Sequence, residues 1–231
     1  MKSRQSAHKR RSLITLQDPK SPISEAFRTL RTNIQFASVD KELRTLMVTS
    51  SGPGEGKSIV SANLAITLAQ AGKAVLLVDA DMRKPTVNHT FRFLNNEGLT
   101  NVISGTATLE DVIKTDTDVE GLDVLTSGPI PPNPAELLGS KRMKALIEEA
   151  QTKYDVVLFD TPPVIAVTDA QILASQVDGV ILVVSSGKTN QELAVKAKSL
   201  LETVQANIIG CVLNNRKLSG NSYYYYYYGE R

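Results

Sequence analysis

Cysteine is nearly absent. Cys211 is the single one among 231 residues, which excludes an internal disulfide framework, and its place in an apolar run reads as a small core residue of a chain kept in a reducing compartment. Aromatic side chains are scarce at 5%, beside a hydrophobic content of 42%, a balance that suits one α/β domain with flexible ends. No apolar run approaches the length of a membrane span, and none of signal-peptide length follows the basic start at Lys2, Arg4, Lys9, Arg10 and Arg11. A cytosolic protein is therefore expected. A strong imbalance of charge is missing too: with a formal net charge of +2, the basic arm is a local, solvated feature, with contact to anionic lipid as its sharper reading. No specific nucleic-acid partner is expected, because that requires a broader basic face. Internal repeats are absent.

What is present is concentrated between Met47 and Ser61, MVTSSGPGEGKSIVS. A short apolar run, Leu46 to Thr49, feeds a glycine-rich turn, and Ile59, Ala62, Ile66 and Ala69 then recur at helical spacing. Gly52, Gly54 and Gly56 let successive backbone N–H groups face one point, and the first helical turn adds its own free N–H groups and positive dipole end. Such a point binds an anion. Lys57 brings an ammonium for the β- and γ-phosphates and Ser58 a hydroxyl that can ligate Mg2+, so Ser51, Gly52, Pro53, Gly54, Glu55, Gly56, Lys57, Ser58 and Ile59 form the expected nucleotide-binding stretch for ATP. Ser51 stands where G-x-x-x-x-G-K-[ST] has its first glycine. The bland alternative is a glycine-rich turn that only joins a strand to a helix.

The remaining pattern alternates. Ser21 and Pro22 read as an N-cap and first helical position, with Phe27, Leu30 and Ile34 on one face and Glu25, Arg28 and Arg31 on the other. Strands are expected over residues 74–81, 122–128, 154–160, 179–186 and 207–215, several of them almost unbroken in Val, Ile and Leu. That is the pattern of parallel strands covered on both faces. Helices are expected over 57–71, 134–153, 168–176 and 190–205, giving an α/β fold with a doubly wound, mainly parallel sheet flanked by helices on both faces. Three segments follow: a flexible basic arm over 1–20, the domain over 21–215, and an exposed tail over 216–231 carrying Tyr223, Tyr224, Tyr225, Tyr226, Tyr227 and Tyr228.

Asp79, Asp81 and Asp160 stand at expected strand ends, where this fold puts its working groups. Near bound phosphates, carboxylates act through Mg2+ or accept a proton from the attacking hydroxyl. The alternative for each is a loop carboxylate or helix cap.

Taken together, SSGPGEGKS, VLLVDADMRKP, VVLFDTPP and the tyrosine cluster resemble the Walker A, Walker A′, Walker B and tail motifs of the bacterial tyrosine kinases that regulate capsule and exopolysaccharide production, in their separate cytoplasmic form. The likeness covers nearly the whole chain and implies a P-loop NTPase fold, shared with chromosome-partitioning and cell-division-site ATPases. It implies Lys57 on the phosphates, Ser58 on Mg2+, Asp160 near the metal through water, and Asp79 and Asp81 in metal placement, with Asp79 the expected base. It also implies that Asn214 lies by adenine, that a neighbouring subunit's tail tyrosine is the acceptor, and that Glu25, Arg28 and Arg31 form an E-x-x-R-x-x-R ring contact in a homo-oligomer. Implied partners are protein tyrosine substrates, a phosphotyrosine phosphatase and a membrane adaptor on a separate polypeptide, which would recruit the chain peripherally to the inner face of the cell membrane. Two competitors share the motifs: a partitioning-type ATPase switch, and a nucleotide-controlled scaffold phosphorylated by another kinase. The first normally carries a signature lysine where this chain has Gly52, and has no need of six accessible phenols.

Overall fold

The computed structural model describes residues 13–37 and 42–216; the basic residues from Lys2 to Arg11 and the tyrosines from Tyr223 to Tyr228 lie outside the described residues. Six strands, β1 (Thr45–Ser50), β2 (Val75–Asp79), β3 (Leu122–Leu125), β4 (Val156–Asp160), β5 (Gly179–Ser185) and β6 (Ile208–Asn214), form one sheet in the order β3-β2-β4-β1-β5-β6. All pairings between them are parallel. Parallel neighbours need crossovers, and the helices that make them cover both faces. On one face lie α1 (Ile14–Gln17), α2 (Pro22–Phe36), α3 (Lys57–Ala69) and α4 (Val87–Phe91), packed on Leu46, Val48, Leu77, Leu158 and Ile181. On the other lie α5 (Leu99–Ser104), α6 (Leu109–Val112), α7 (Pro134–Leu138), α8 (Lys141–Lys153), α9 (Asp169–Ala174) and α10 (Gln191–Thr203), against Met47, Leu76, Phe159 and Leu182. Successive strand residues thus enter opposite cores, which explains why the strands read as continuous apolar runs.

The ends of α2 follow from its residues. Ser21 Oγ accepts from Ser24 N, Pro22 takes the first helical position, and Ile34 is buried with Phe27 and Leu30 packed beside it. Such a cap contributes about 1 kcal/mol, and burying an isoleucine about 1.5–3 kcal/mol. The packed body begins before this helix: α1 falls in the segment expected to be a flexible arm, and Thr15 is buried with its N and Oγ1 both on Asn63 Oδ1.

The structure corrects two further expectations. The helix expected over 134–153 breaks into α7 and α8, because Ser140 caps a new start, its Oγ accepting from Met143 N. Cys211, expected in the core, is exposed. Its strand, β6, is the last of the sheet with a single neighbour, and an edge strand is covered less completely than a central one.

Candidate active site

The P-loop between β1 and α3 is shaped by backbone and by one carboxylate. Gly54 and Gly56 have φ of +72° and +97°, and a Cβ on Gly56 would lie 2.0 Å from Asn214 Nδ2, so this position excludes a side chain on both counts. Gly56 precedes α3 without a side-chain cap, leaving the first-turn N–H groups directed out of the helix. Glu55 turns back and is buried: its carboxylate accepts from Ser51 N at 3.0 Å, from Ser51 Oγ at 2.8 and 2.9 Å, and from Thr189 Oγ1 at 2.8 Å. This explains the departure from the glycine consensus, since the Ser51 hydroxyl is part of the staple that holds the loop. Two outer braces complete it, Lys188 Nζ donating to Gly54 O at 3.1 Å and Asn214 Nδ2 to Glu55 O at 2.8 Å. Asn214 is therefore brought to the P-loop from the end of β6, and Ser58 and Ile59 lie in the first turn of α3.

Lys57 meets the carboxylates at the ends of β2 and β4. Its Nζ donates to Asp81 Oδ2 at 2.9 Å and to Ser58 Oγ at 3.3 Å, and lies 3.7 Å from Asp160 Oδ2. Burial works against the ammonium, but the Asp160 and Asp81 carboxylates outweigh it and hold the Lys57 pKa above its ordinary value. Asp160 is fully buried; Oδ1 accepts from Ser61 Oγ at 3.2 Å, while Oδ2 has no hydrogen-bond donor. Burial pushes its pKa upward in spite of Lys57. Asp79 is fully buried too, with Oδ1 accepting from Asp81 N at 3.2 Å and Oδ2 from Thr86 N and Val87 N, both at 2.8 Å. Burial first, and Asp160 second, raise its pKa to about 7 against the pull of those N–H groups. Asp81 Oδ1 accepts from Lys84 N at 3.0 Å, and Ala80 N donates to Asp160 O at 2.8 Å, tying the loop after β2 to the end of β4.

No three His, Cys, Asp or Glu side chains form a metal cage among the described residues. Mg2+ does not require one, because it keeps several waters and takes one or two carboxylates together with substrate phosphates. A buried Asp160 oxygen without a hydrogen-bond partner, gathered with Ser58 Oγ and Asp81 Oδ2 around one ammonium, fits that demand.

Glu25, Arg28 and Arg31 share one side of α2, away from this site. Glu25 pairs with Arg28, whose second nitrogen donates to Pro19 O at 2.7 Å, and Arg31 donates to Thr67 O of α3 at 2.9 Å. Both arginines of the motif thus have partners inside the subunit.

Several site residues had no signal in sequence. Thr189 and Lys188 sit in the loop after β5, joined to the P-loop across more than a hundred residues. Ser61 had one, lying four residues beyond Lys57 on the same helix. Arg83 and Asp169 form a fork across 86 residues, Nε to Oδ2 at 2.9 Å and a terminal nitrogen to Oδ1 at 3.0 Å.

The AAA domain family matches residues 43–215. The chain is 54% identical over 212 residues to tyrosine-protein kinase YwqD of Bacillus subtilis, covering 92% of this chain and 89% of that one, and 47% identical to putative tyrosine-protein kinase CapB of Staphylococcus aureus, covering 92% of each. Among solved structures, the chimerical protein CapA2B2 matches with a TM-score of 0.86 at 46% identity, over 89% of this chain and 90% of that one. The kinase domain of Escherichia coli tyrosine kinase ETK also gives 0.86, at 36% identity over 90% of this chain and 82% of that one. The septum site-determining protein MinD of Pyrococcus horikoshii, complexed with Mg-ADP, gives 0.63 at 25% identity over 78% and 75%.

Proposed function

The chain belongs to the bacterial tyrosine-protein kinases, and from that premise we propose that this site moves the γ-phosphoryl group of ATP to protein tyrosines, those from Tyr223 to Tyr228 among them, in the control of capsule or exopolysaccharide production. The observation that carries the reading is the meeting of Lys57, Asp81 and Asp160 at the mouth of the P-loop, within 4 Å of the Lys57 ammonium. In this reading the P-loop N–H groups and Lys57 hold the phosphates, and Asn214, bonded to the loop at Glu55 O, contacts the adenine. Ser58, Asp81 and Asp160 would hold Mg2+, with Asp79 helping to place it, and the ion would supply positive charge against the phosphate oxygens as they gain charge in transfer. Asp79 is the base in this reading: its Oδ1 takes a single, long N–H bond, and its raised proton affinity favours accepting the tyrosine proton as the phenolic oxygen bonds to phosphorus and ADP leaves.

The acceptor belongs to a neighbouring subunit in this proposal, within a ring built through Glu25, Arg28 and Arg31. A membrane adaptor on another polypeptide docks the chain at the inner face of the membrane, a phosphotyrosine phosphatase reverses the modification, and other proteins supply further acceptors. Among the described residues no helix is long and apolar enough to cross a membrane. The partitioning-switch alternative loses its support, since relatives at 47% and 54% identity are named kinases while the cell-division ATPases match at 24% and 25%.

The test is a mixing experiment with labelled ATP and magnesium. A Lys57→Met chain with an intact tail is added to an active chain whose tail tyrosines are Phe. Phosphotyrosine on the Lys57→Met chain is expected; phosphate release without phosphotyrosine would reject transfer to tyrosine, and an unlabelled tail in a demonstrated mixed assembly would reject transfer between subunits.

A further inference from the structure

We infer that Arg83 is a positioning residue for phosphoryl transfer, its fork on Asp169 holding the loop that follows Asp79 and carries Asp81 against the segment that follows Asp160. Arg83 stands two residues beyond Asp81, between β2 and α4, and Asp169 is the first residue of α9, nine beyond Asp160. The two groups meet through two N–H···O bonds of 2.9 and 3.0 Å, one to each carboxylate oxygen. A guanidinium fork on a carboxylate fixes orientation as well as distance, which a lysine ammonium does not. Asp169 is completely buried, whereas 42% of the Arg83 side chain is exposed.

The need for such a tie follows from Lys57. In this arrangement Asp81 is held on one oxygen by Lys57 and on the other by the Lys84 N–H. A Lys57 ammonium turned toward nucleotide phosphates gives up Asp81, and the loop after β2 loses a side-chain anchor when its carboxylate must stand in register with Asp160. The Arg83–Asp169 fork does not involve Lys57, so it persists through that exchange. Burial of an ion pair is poor evidence of stabilisation, since apolar residues of similar volume often do as well. Fixed geometry is what the fork supplies, and displacement of reacting groups by about 1 Å can cost on the order of a hundredfold in rate.

The inference rests on the assignment of Lys57, Asp79, Asp81 and Asp160 to the transfer site, and the experiment separates the two. Full-length Arg83→Met, Asp169→Asn and Arg83→Lys are compared with the native chain and with Lys57→Met on a tyrosine-containing polymer, measuring kcat, KM for ATP, the Mg2+ concentration for half-maximal rate, and melting temperature. Arg83→Met and Asp169→Asn are expected to lower kcat about tenfold or more, to leave KM for ATP within about threefold, and to raise the Mg2+ requirement, with Arg83→Lys recovering only part of the rate. A lowered melting temperature with native kcat and native Mg2+ dependence would make the fork merely structural and overturn the inference. So would a rise in KM alone. If Arg83→Met and Asp169→Asn fail to fold, Arg83→Lys decides: native kcat and Mg2+ dependence in that variant reject the fork's role. Retained transfer in Lys57→Met would reject the site assignment instead, independently of Arg83.

Discussion

Lys57 Nζ lies 2.9 Å from Asp81 Oδ2, so the cation proposed for the phosphates is neutralised by a carboxylate proposed for magnesium. One residue thereby has two duties. It is the countercharge that makes a cluster of buried carboxylates tolerable, and it is the group that nucleotide must draw away. Lys57→Met should abolish both tight ATP binding and tyrosine labelling, and should also lower stability by about 3–5 kcal/mol, because breaking a buried pair leaves its partner uncompensated. Adding Asp81→Asn to Lys57→Met should recover part of the melting temperature without restoring labelling. If the single variant melts like the native chain, the pair is not structural.

The main architecture was readable because its causes are local. Apolar runs at strand length, Ser21-Pro22 at a helix start and GPGEGKS after a strand each act within a few residues, and the sheet followed from their alternation. The apolar run around Cys211 does not say whether its strand lies at the centre or the edge; the order β3-β2-β4-β1-β5-β6 decides that. The helices α4, α5 and α6, of 5, 6 and 4 residues, are too short for a 3.6-residue period to show. At the site, Lys57, Asp81 and Asp160 were legible from motif position, whereas Thr189 on Glu55 and Arg83 on Asp169 are partnerships that only the fold creates.

Glu55 should matter more than a variable Walker position suggests. Glu55→Ala removes the acceptor of Ser51 N, Ser51 Oγ and Thr189 Oγ1, and each buried donor left unsatisfied costs about 1–3 kcal/mol. ATP affinity is expected to fall about tenfold or more as the loop loses its shape. Ser51→Gly, which restores the consensus, should be milder, since it deletes one of those donors along with its need for an acceptor. Titration with a fluorescent ADP analogue measures both; native affinity in Glu55→Ala would show that the loop holds its form without the staple.

Tyr154 provides an internal control for acceptor choice. It is the one tyrosine outside the cluster, and its phenol donates to Asp123 at 2.7 Å. Burial and that hydrogen bond raise its pKa and keep the oxygen engaged. Phosphopeptide mapping after autophosphorylation should therefore find label in the cluster and none on Tyr154, and Tyr154→Phe should leave total labelling unchanged. Label on Tyr154 in the folded chain would mean that access, not composition, has been misjudged.

Assembly is where the arginines of α2 should part company. Arg28 pairs with exposed Glu25 and with Pro19 O, and exposed pairs contribute about 0–1 kcal/mol, so Arg28→Glu should barely change the melting temperature. Arg31 donates to the Thr67 carbonyl and helps hold α2 on α3, so Arg31→Glu should lower it distinctly. If both arginines build the ring, both variants are monomers by light scattering, and only Arg28→Glu reaches that state with native stability. Phosphorylation should act on the same equilibrium from the other side. Each phosphotyrosine adds about 1.5–2 negative charges, so a fully modified cluster brings on the order of ten charges per subunit toward carboxylates and nucleotide phosphates that already repel them. Heavily phosphorylated chains should dissociate, and dephosphorylated ones should assemble. Equal masses for native, Arg28→Glu and fully phosphorylated samples would reject a ring governed by this helix and by tail charge.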